Sequence, residues 1–127
     1  MIVRLHHISL GVKDLAQSSQ FYRDFLDFVI IPRPDLGFPG IWLQLNGLQL
    51  HLIQRDEQYL KSALPRAIHY AFHVASVSEL DEKAATLSQR NWPFSKTTQK
   101  GSGIQQIFFI DPNNYNIELG FYPDTSN

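Results

Sequence analysis

Apolar and polar residues alternate along residues 5–12 and again along residues 67–74, and the alternation has the same phase in both segments. The apolar positions correspond one to one: Ile8, Leu10 and Val12 in the first segment, and Tyr70, Phe72 and Val74 in the second. A period of two residues is the side-chain repeat of a strand, so each segment is predicted to be a half-buried β-strand. The opposite face of each predicted strand begins with a histidine, His7 in the first and His69 in the second.

The residues that follow these two strands also repeat a pattern. Apolar residues at helical spacing come next in both halves, and Asp14 and Ser78 stand where a side chain can cap the first turn. Segments rich in strand-forming residues follow, at residues 28–31, 41–45 and 48–53 in the first half and at residues 94–97, 104–110 and 115–122 in the second. Each half is therefore predicted to have the element order β-α-β-β-β.

The two halves define the predicted organisation of the chain. Its 127 residues suit a single domain, with modules at about residues 1–54 and 67–122 and a polar connector at residues 55–66. Hydrophobic residues make up 43% of the sequence, which is enough to build a core. The repeat also means that residues at equivalent positions of the two halves can be compared directly.

The last strands of the two halves can be superposed in the same way as the first. Residues 47–50 lie over residues 116–119, which makes Gln49 the counterpart of Glu118. Both residues are out of phase with the apolar residues of their strands, as the two histidines are. If the first and last strands of each half are neighbours, His7, Gln49, His69 and Glu118 can converge in one cavity.

Composition and charge narrow the classes of ligand. The formal net charge is −1 and no run of like charge occurs, so neither a nucleic acid nor a membrane surface is favoured as a partner. Small molecules are the default ligands. The sequence has no cysteine, which excludes disulfides and thiolate ligands, and no apolar run approaches the roughly 18 residues of a membrane helix. A cytoplasmic location is expected.

Four short segments resemble one protein family. Residues 7–15, the pair at 21–22, residues 69–72 and residues 111–119 are similar to the vicinal oxygen chelate superfamily. This superfamily includes glyoxalase I, bleomycin-resistance proteins, fosfomycin-resistance transferases, methylmalonyl-CoA epimerases and extradiol dioxygenases. The resemblance implies an α+β fold in which two βαβββ modules form an open, barrel-like cup, and it implies a homodimer.

The resemblance also implies a set of metal ligands. Metalloenzymes of the superfamily hold a divalent ion with a first-strand residue of each module and with acidic residues of the last strands. The matching positions here are His7, His69 and Glu118, with Gln49 where other members carry a glutamate or a glutamine. Such nitrogen and oxygen ligands suit Ni, Mn, Fe(II), Co or Zn and leave positions open for a substrate. A neutral amide is a poor ligand, so a solvated or substrate-facing role is favoured for Gln49 over direct ligation.

Three further histidines accompany these positions. His51 shares a strand face with Gln49, and His73 shares one with His69, so Glu118, His51 or His73 is expected to move a proton during catalysis. His6 is out of phase with His7 and is expected to point away from it.

The ligand set favours a metal-dependent lyase or isomerase that acts on a small oxygenated or thiol-conjugated molecule. Two alternatives stay open: a binding protein of the bleomycin-resistance type, which keeps the fold and loses the metal, and a small extradiol-type dioxygenase. Glyoxalase I depends on metal-bound glutamates, whereas Glu118 is the only carboxylate at the four matching positions.

Overall fold

The computed structural model of the chain describes residues 1–56 and 69–123. The chain divides between residues 63 and 64 into two compact units, called unit 1 and unit 2 below. Most of the predicted connector, residues 57–66, lies outside the described residues, as do residues 67 and 68 of the predicted fifth strand.

Unit 1 contains one helix and one four-stranded sheet. Its elements are β1 (His7–Val12), α1 (Leu15–Asp24), β2 (Val29–Ile31), β3 (Gly40–Leu45) and β4 (Leu48–Gln54). The strand order is β1-β4-β3-β2, and β1 runs parallel to β4 while the other pairs are antiparallel. The first and last strands of this half are therefore neighbours.

Unit 2 repeats this arrangement. Its elements are β5 (Tyr70–His73), α2 (Val77–Gln89), β6 (Phe94–Thr98), β7 (Gln105–Ile110) and β8 (Asn116–Phe121). The strand order is β5-β8-β7-β6, with β5 parallel to β8. The predicted α+β class and the two βαβββ modules are confirmed.

The alternation of apolar residues determines which face of each sheet is buried. In unit 1, Leu43 and Leu52 are fully buried, as is Tyr22 of α1, and this helix packs against β3 and β4. In unit 2, Ile107 and Ile117 are fully buried, and α2 packs against β7 and β8. Burying such side chains contributes about 1.5 to 3 kcal/mol each. The other face of each sheet is left for polar side chains.

The two helices begin at equivalent caps, and one cap differs from the prediction. Asp14 caps α1 as predicted, because its Oδ1 accepts a hydrogen bond of 3.0 Å from the backbone N–H of Gln17. The prediction of Ser78 as the cap of α2 is wrong. Ser76 is the cap, and its Oγ accepts from the backbone N–H of Glu79 at 3.1 Å. The carboxylate of Glu79 also accepts from a backbone N–H of the preceding loop, which fixes the helix start at Ser76.

The predicted hairpin between β3 and β4 is confirmed. Asn46 and Gly47 have φ values of 47° and 88°, as a tight two-residue turn requires. No helix among the residues that the structure describes is long and apolar enough to span a bilayer.

Candidate metal-binding residues

The parallel pairing of β1 with β4 places two imidazoles on one face of unit 1. His7 lies opposite Gln49, and Ser9 lies opposite His51. On the other side of β4, Trp42 of β3 is also opposite His51. Residues that pair directly across strands share a face, so these side chains form one cluster.

Three aromatic rings of this cluster form a stack. The His51 ring is parallel to that of Trp42, with centroids 4.1 Å apart, and it stacks on His7 at 4.0 Å. Only 7% of His51 is exposed. Its Nε2 lies 2.9 Å from Oε1 of Gln49, so an imidazole N–H donates to the amide oxygen. This bond uses the atom through which Gln49 would bind a metal.

Burial strongly affects the protonation of His51. Its pKa is lowered from the ordinary 6.5 to about 4, first because of burial and then because of the nearby His7, His6 and Arg33. The ring is therefore neutral at pH 7, and a base with so low a pKa is a weak proton acceptor near neutrality. These properties favour a ligand or packing role for His51 over the predicted role in proton transfer.

His6 does not point away from His7, contrary to the prediction. Its Nδ1 lies 2.9 Å from Nδ1 of His7, and one of the two nitrogens donates to the other. His6 precedes β1, so the alternation of the strand does not fix the direction of its side chain. This contact engages Nδ1 of His7 and leaves Nε2 as its other ligand atom.

Unit 2 brings an imidazole and a carboxylate together. Nε2 of His69 lies 3.3 Å from Oε1 of Glu118. Two donor atoms bound to one ion at about 2.1 Å, with an angle of about 90 to 109° between them, are about 3.0 to 3.4 Å apart. The Glu118 side chain is 5% exposed and that of His69 is 32% exposed, so the pair is open to solvent on the histidine side. Both the spacing and the donor types fit a divalent metal ion.

Two polar residues next to Glu118 were not predicted. The Tyr122 hydroxyl donates a hydrogen bond to Oε2 of Glu118, and Nε2 of Gln106 donates to the Tyr122 hydroxyl at 3.3 Å. A signal for Tyr122 exists in the sequence. Glu118, Gly120 and Tyr122 are alternate residues, so an extended chain places all three on one face.

The strand registers change the equivalence between the halves. Ser9 pairs with His51 in unit 1, whereas Ala71, two residues after His69, pairs with Glu118 in unit 2. If His7 corresponds to His69, the counterpart of Glu118 is therefore His51. The superposition of residues 47–50 on residues 116–119 is thus displaced by two positions.

One aromatic side chain, Phe108, lies against the His69–Glu118 pair. Phe108 pairs directly with Glu118, and its ring meets that of His69 edge to face with centroids 5.8 Å apart. Phe108 also lines a cavity of about 370 Å³ together with Pro93, Phe94, Ser95, Phe109, Ile110, Asn116 and Ile117. Phe108 is therefore shared between this mostly apolar cavity of unit 2 and the contact with His69.

His73 lies on the same strand face as His69, at the other end of β5. It pairs with Gly120 and is exposed, and its ring lies 5.6 Å from that of Tyr122. Within neither unit do three or more histidine, cysteine or acidic side chains of residues 1–56 and 69–123 form a group that could hold a metal ion. Unit 2 on its own therefore offers two candidate ligands, His69 and Glu118.

Comparison with known families identifies this arrangement. The profile described as Glyoxalase/Bleomycin resistance protein/Dioxygenase superfamily matches residues 4–119. The chain belongs to this superfamily. The resemblance noted from the sequence is confirmed at the level of the superfamily.

Individual members of the superfamily are similar over most of the chain. Glyoxylase I 4 of Arabidopsis thaliana is 30% identical over 125 residues, which cover 93% of this chain and 70% of that protein. The metallothiol transferase FosB of Staphylococcus saprophyticus is 28% identical over 126 residues, covering 94% of this chain and 77% of that protein.

A solved structure of the superfamily supports the fold. The fosfomycin resistance protein FosX of Listeria monocytogenes, in complex with Mn(II) and a dihydroxypropylphosphonic acid, superposes with a TM-score of 0.81. The identity is 22%, and the match covers 98% of this chain and 95% of that one. At this identity the likeness establishes the fold alone.

Proposed function

We propose that the protein is a metal-dependent enzyme of the glyoxalase superfamily, with His7, His69 and Glu118 as ligands of a divalent ion. The observation that carries the proposal is the separation of 3.3 Å between Nε2 of His69 and Oε1 of Glu118. A buried carboxylate beside an accessible imidazole, at the distance that a shared ion requires, offers a divalent ion one oxygen and one nitrogen ligand.

The fourth ligand position is proposed to be His51 rather than Gln49. The register makes His51 the counterpart of Glu118, and the amide oxygen of Gln49 already accepts the His51 N–H. A neutral imidazole is also a better ligand for these metals than a neutral amide. Gln49 then orients the ring of His51, as outer groups commonly do for metal-binding histidines.

The proposed reaction is of the lyase or isomerase type on a small oxygenated or thiol-conjugated substrate. A bound divalent ion would polarise a substrate oxygen. Among the residues of the site, the exposed His73 is the proposed proton carrier, because Glu118 is engaged by His69 and Tyr122 and His51 is buried. The cavity beside Phe108 would take the apolar part of the substrate. The names of the relatives support this class, since they include a glyoxylase I and a metallothiol transferase.

The metal is proposed to be Mn, Ni, Fe(II), Co or Zn, and the protein is proposed to act as a homodimer. The FosX structure with Mn(II) supports a divalent ion, because that protein shares this fold. Sedimentation at micromolar concentration tests the dimer, and a monomer at every concentration would contradict it.

A second candidate is a binding protein that works without metal. The observation that favours it is the absence of a carboxylate from the unit 1 cluster, where the amide of Gln49 satisfies His51 internally. Such a protein would use the cavity of unit 2 to bind a small molecule. This candidate predicts small-molecule binding that does not depend on any metal ion.

Metal binding to the purified protein separates the two candidates. Chelator-free protein is titrated with Mn(II), Ni(II) and Zn(II) by calorimetry, alongside the variants His69→Ala and His73→Ala. The enzyme proposal expects sub-millimolar binding that is lost in His69→Ala and kept in His73→Ala, the matched control on the same strand. If none of the ions binds wild type below millimolar concentration, the metal-dependent enzyme is excluded and the binding protein takes its place.

A further inference from the structure

One glycine in β8 makes room for a tyrosine ring. A Cβ atom placed on Gly120 would lie 2.6 to 2.8 Å from three atoms of the Tyr122 ring and hydroxyl, which is closer than real Cβ contacts allow. The φ angle of Gly120 is not positive, so the position needs a glycine for space and not for backbone conformation. The ring of Tyr122 therefore lies back along the strand, over Gly120 and towards Glu118.

Hydrogen bonds across three strands fix the direction of the Tyr122 hydroxyl. Oγ1 of Thr97 donates to Oε1 of Gln106 at 3.2 Å, and Nε2 of Gln106 donates to the Tyr122 oxygen at 3.3 Å. The hydroxyl in turn donates its proton to Oε2 of Glu118. Each group donates to the next, and the chain of donors ends at the carboxylate of Glu118, a buried residue.

The two oxygens of Glu118 consequently have different surroundings. Oε2 accepts from Tyr122, whereas Oε1 lies beside Nε2 of His69. We infer that Tyr122 is a positioning residue: it occupies Oε2 of Glu118, so that this carboxylate offers the ion only Oε1, and Gly120 provides the space that allows it. The inference rests on the proposed function, since it concerns how Glu118 binds the metal.

Occupation of one oxygen has a chemical consequence for the site. A carboxylate whose two oxygens are both free can bind an ion through one oxygen or through both. With Oε2 engaged by a hydroxyl, Glu118 would hold a divalent ion through Oε1 alone, which would leave more of the ion available to a substrate oxygen. The hydroxyl also holds the carboxylate in place before the ion arrives.

The test compares Mn(II) binding by wild type, Tyr122→Phe and Gly120→Ala, measured by calorimetry. Both variants are expected to bind about 10-fold more weakly, at the lower end of the roughly 10- to 100-fold typical of outer groups around a metal. Tyr115→Phe is the matched control, because it removes a tyrosine hydroxyl three residues before Glu118 at a position of opposite phase. It should bind Mn(II) as wild type does.

A spectroscopic measurement distinguishes positioning from a general loss of stability. The visible d–d absorption of bound Co(II) weakens as the coordination number rises. In Tyr122→Phe, Glu118 can bind through both oxygens, so the Co(II) protein is expected to absorb more weakly than wild type. Circular dichroism without metal checks that each variant is folded, and if Gly120→Ala does not fold, Tyr122→Phe decides the question.

A double-variant cycle tests the role of the glycine. In a Tyr122→Ala background there is no ring to displace, so Gly120→Ala should change the Mn(II) affinity by less than about twofold. A Tyr122→Phe protein with wild-type affinity and an unchanged Co(II) spectrum would overturn the inference and leave the proposed function standing. A wild type that binds neither ion would overturn both.

Discussion

Units 1 and 2 have the same strand order and different chemistry on the same face of the sheet. In unit 1, His51 is buried between two rings and bonded to an amide. In unit 2, the equivalent Glu118 lies between an imidazole and a phenol. The backbone pairing of the two halves has been kept, whereas the side chains at matching positions have become an aromatic stack in one half and, in the other, an imidazole–carboxylate pair that is open to solvent on the histidine side.

This contrast indicates a division of roles. A neutral buried ring can hold an ion or a neighbour in place, but it adds no negative charge. The carboxylate of unit 2 is the only negative charge among the proposed ligands. We therefore expect unit 2 to dominate metal affinity and unit 1 to dominate the response of stability to acid.

The largest effect is expected when the negative charge of Glu118 in unit 2 is removed. Glu118→Gln keeps the shape of the side chain and its ability to accept from Tyr122, and it removes the charge. Mn(II) affinity should fall by more than the roughly 10- to 100-fold typical of an outer group, because a direct ligand is lost. Calorimetry measures this, and a variant that retained wild-type affinity would show that Glu118 is not a ligand.

The next largest effect is the loss of folding stability in acid that we expect from His51 of unit 1. The folded pKa of His51, about 4, lies below the ordinary 6.5, so the unfolded chain takes up this proton first. The stability that neutral His51 contributes is complete above about pH 6.5 and is lost as the pH falls towards 4. Between pH 7 and pH 4.5, wild type should lose about 2 to 3 kcal/mol more than His51→Phe, which keeps a ring and cannot titrate.

Urea unfolding at the two pH values measures this difference. His73→Phe is the control, because it removes a histidine that is exposed. Equal losses for wild type and His51→Phe would contradict the account of His51 as a buried neutral ring.

A smaller effect is expected for Gln49. Gln49→Leu leaves the N–H of His51 buried without its acceptor, so the free energy of unfolding should fall by about 1 to 3 kcal/mol. Mn(II) affinity should fall by about 10-fold, at the lower end of the roughly 10- to 100-fold typical of outer groups, since the amide orients the His51 ring and is not proposed as a direct ligand. A loss of affinity as large as that of Glu118→Gln would restore Gln49 as a ligand and contradict the register argument.

The smallest effects come from the two helix caps. Asp14→Ala and Ser76→Ala each remove a side chain that accepts from the first turn, and each should cost about 1 kcal/mol of stability. Ser78→Ala is the control for unit 2, because Ser78 lies within α2 and is exposed. If Ser78→Ala cost as much as Ser76→Ala, the assignment of the cap would be wrong.

Most of the fold was predictable from the sequence because two periods, of two and of 3.6 residues, mark the strands and helices in the same order twice. The cap of α2 could not be predicted from the sequence. Ser76 and Ser78 both lie near the start of the helix, and each is followed three positions later by an acidic residue. The choice between them depends on the path of the loop before the helix, which local sequence does not specify.

The site was predicted in part, and the error has a physical cause. Alternation identifies the face on which a residue lies, so the polar faces around Gln49 and Glu118 could be predicted. A displacement of two residues keeps every side chain on its face, and phase therefore cannot distinguish Gln49 from His51 as the counterpart of Glu118. Only the hydrogen-bonded register between β1 and β4 separates them.

The ring stack of unit 1 has a practical consequence for spectroscopy. The chain contains two tryptophans, and they lie in different units. Trp42 stacks on His51, whereas Nε1 of Trp92 donates to the backbone oxygen of Ile110 at 2.8 Å. Replacing either tryptophan with phenylalanine leaves one tryptophan per molecule. In the Trp92→Phe protein, emission from Trp42 then reports on the histidine cluster, and in the Trp42→Phe protein, emission from Trp92 reports on unit 2, so the melting of each half can be followed separately.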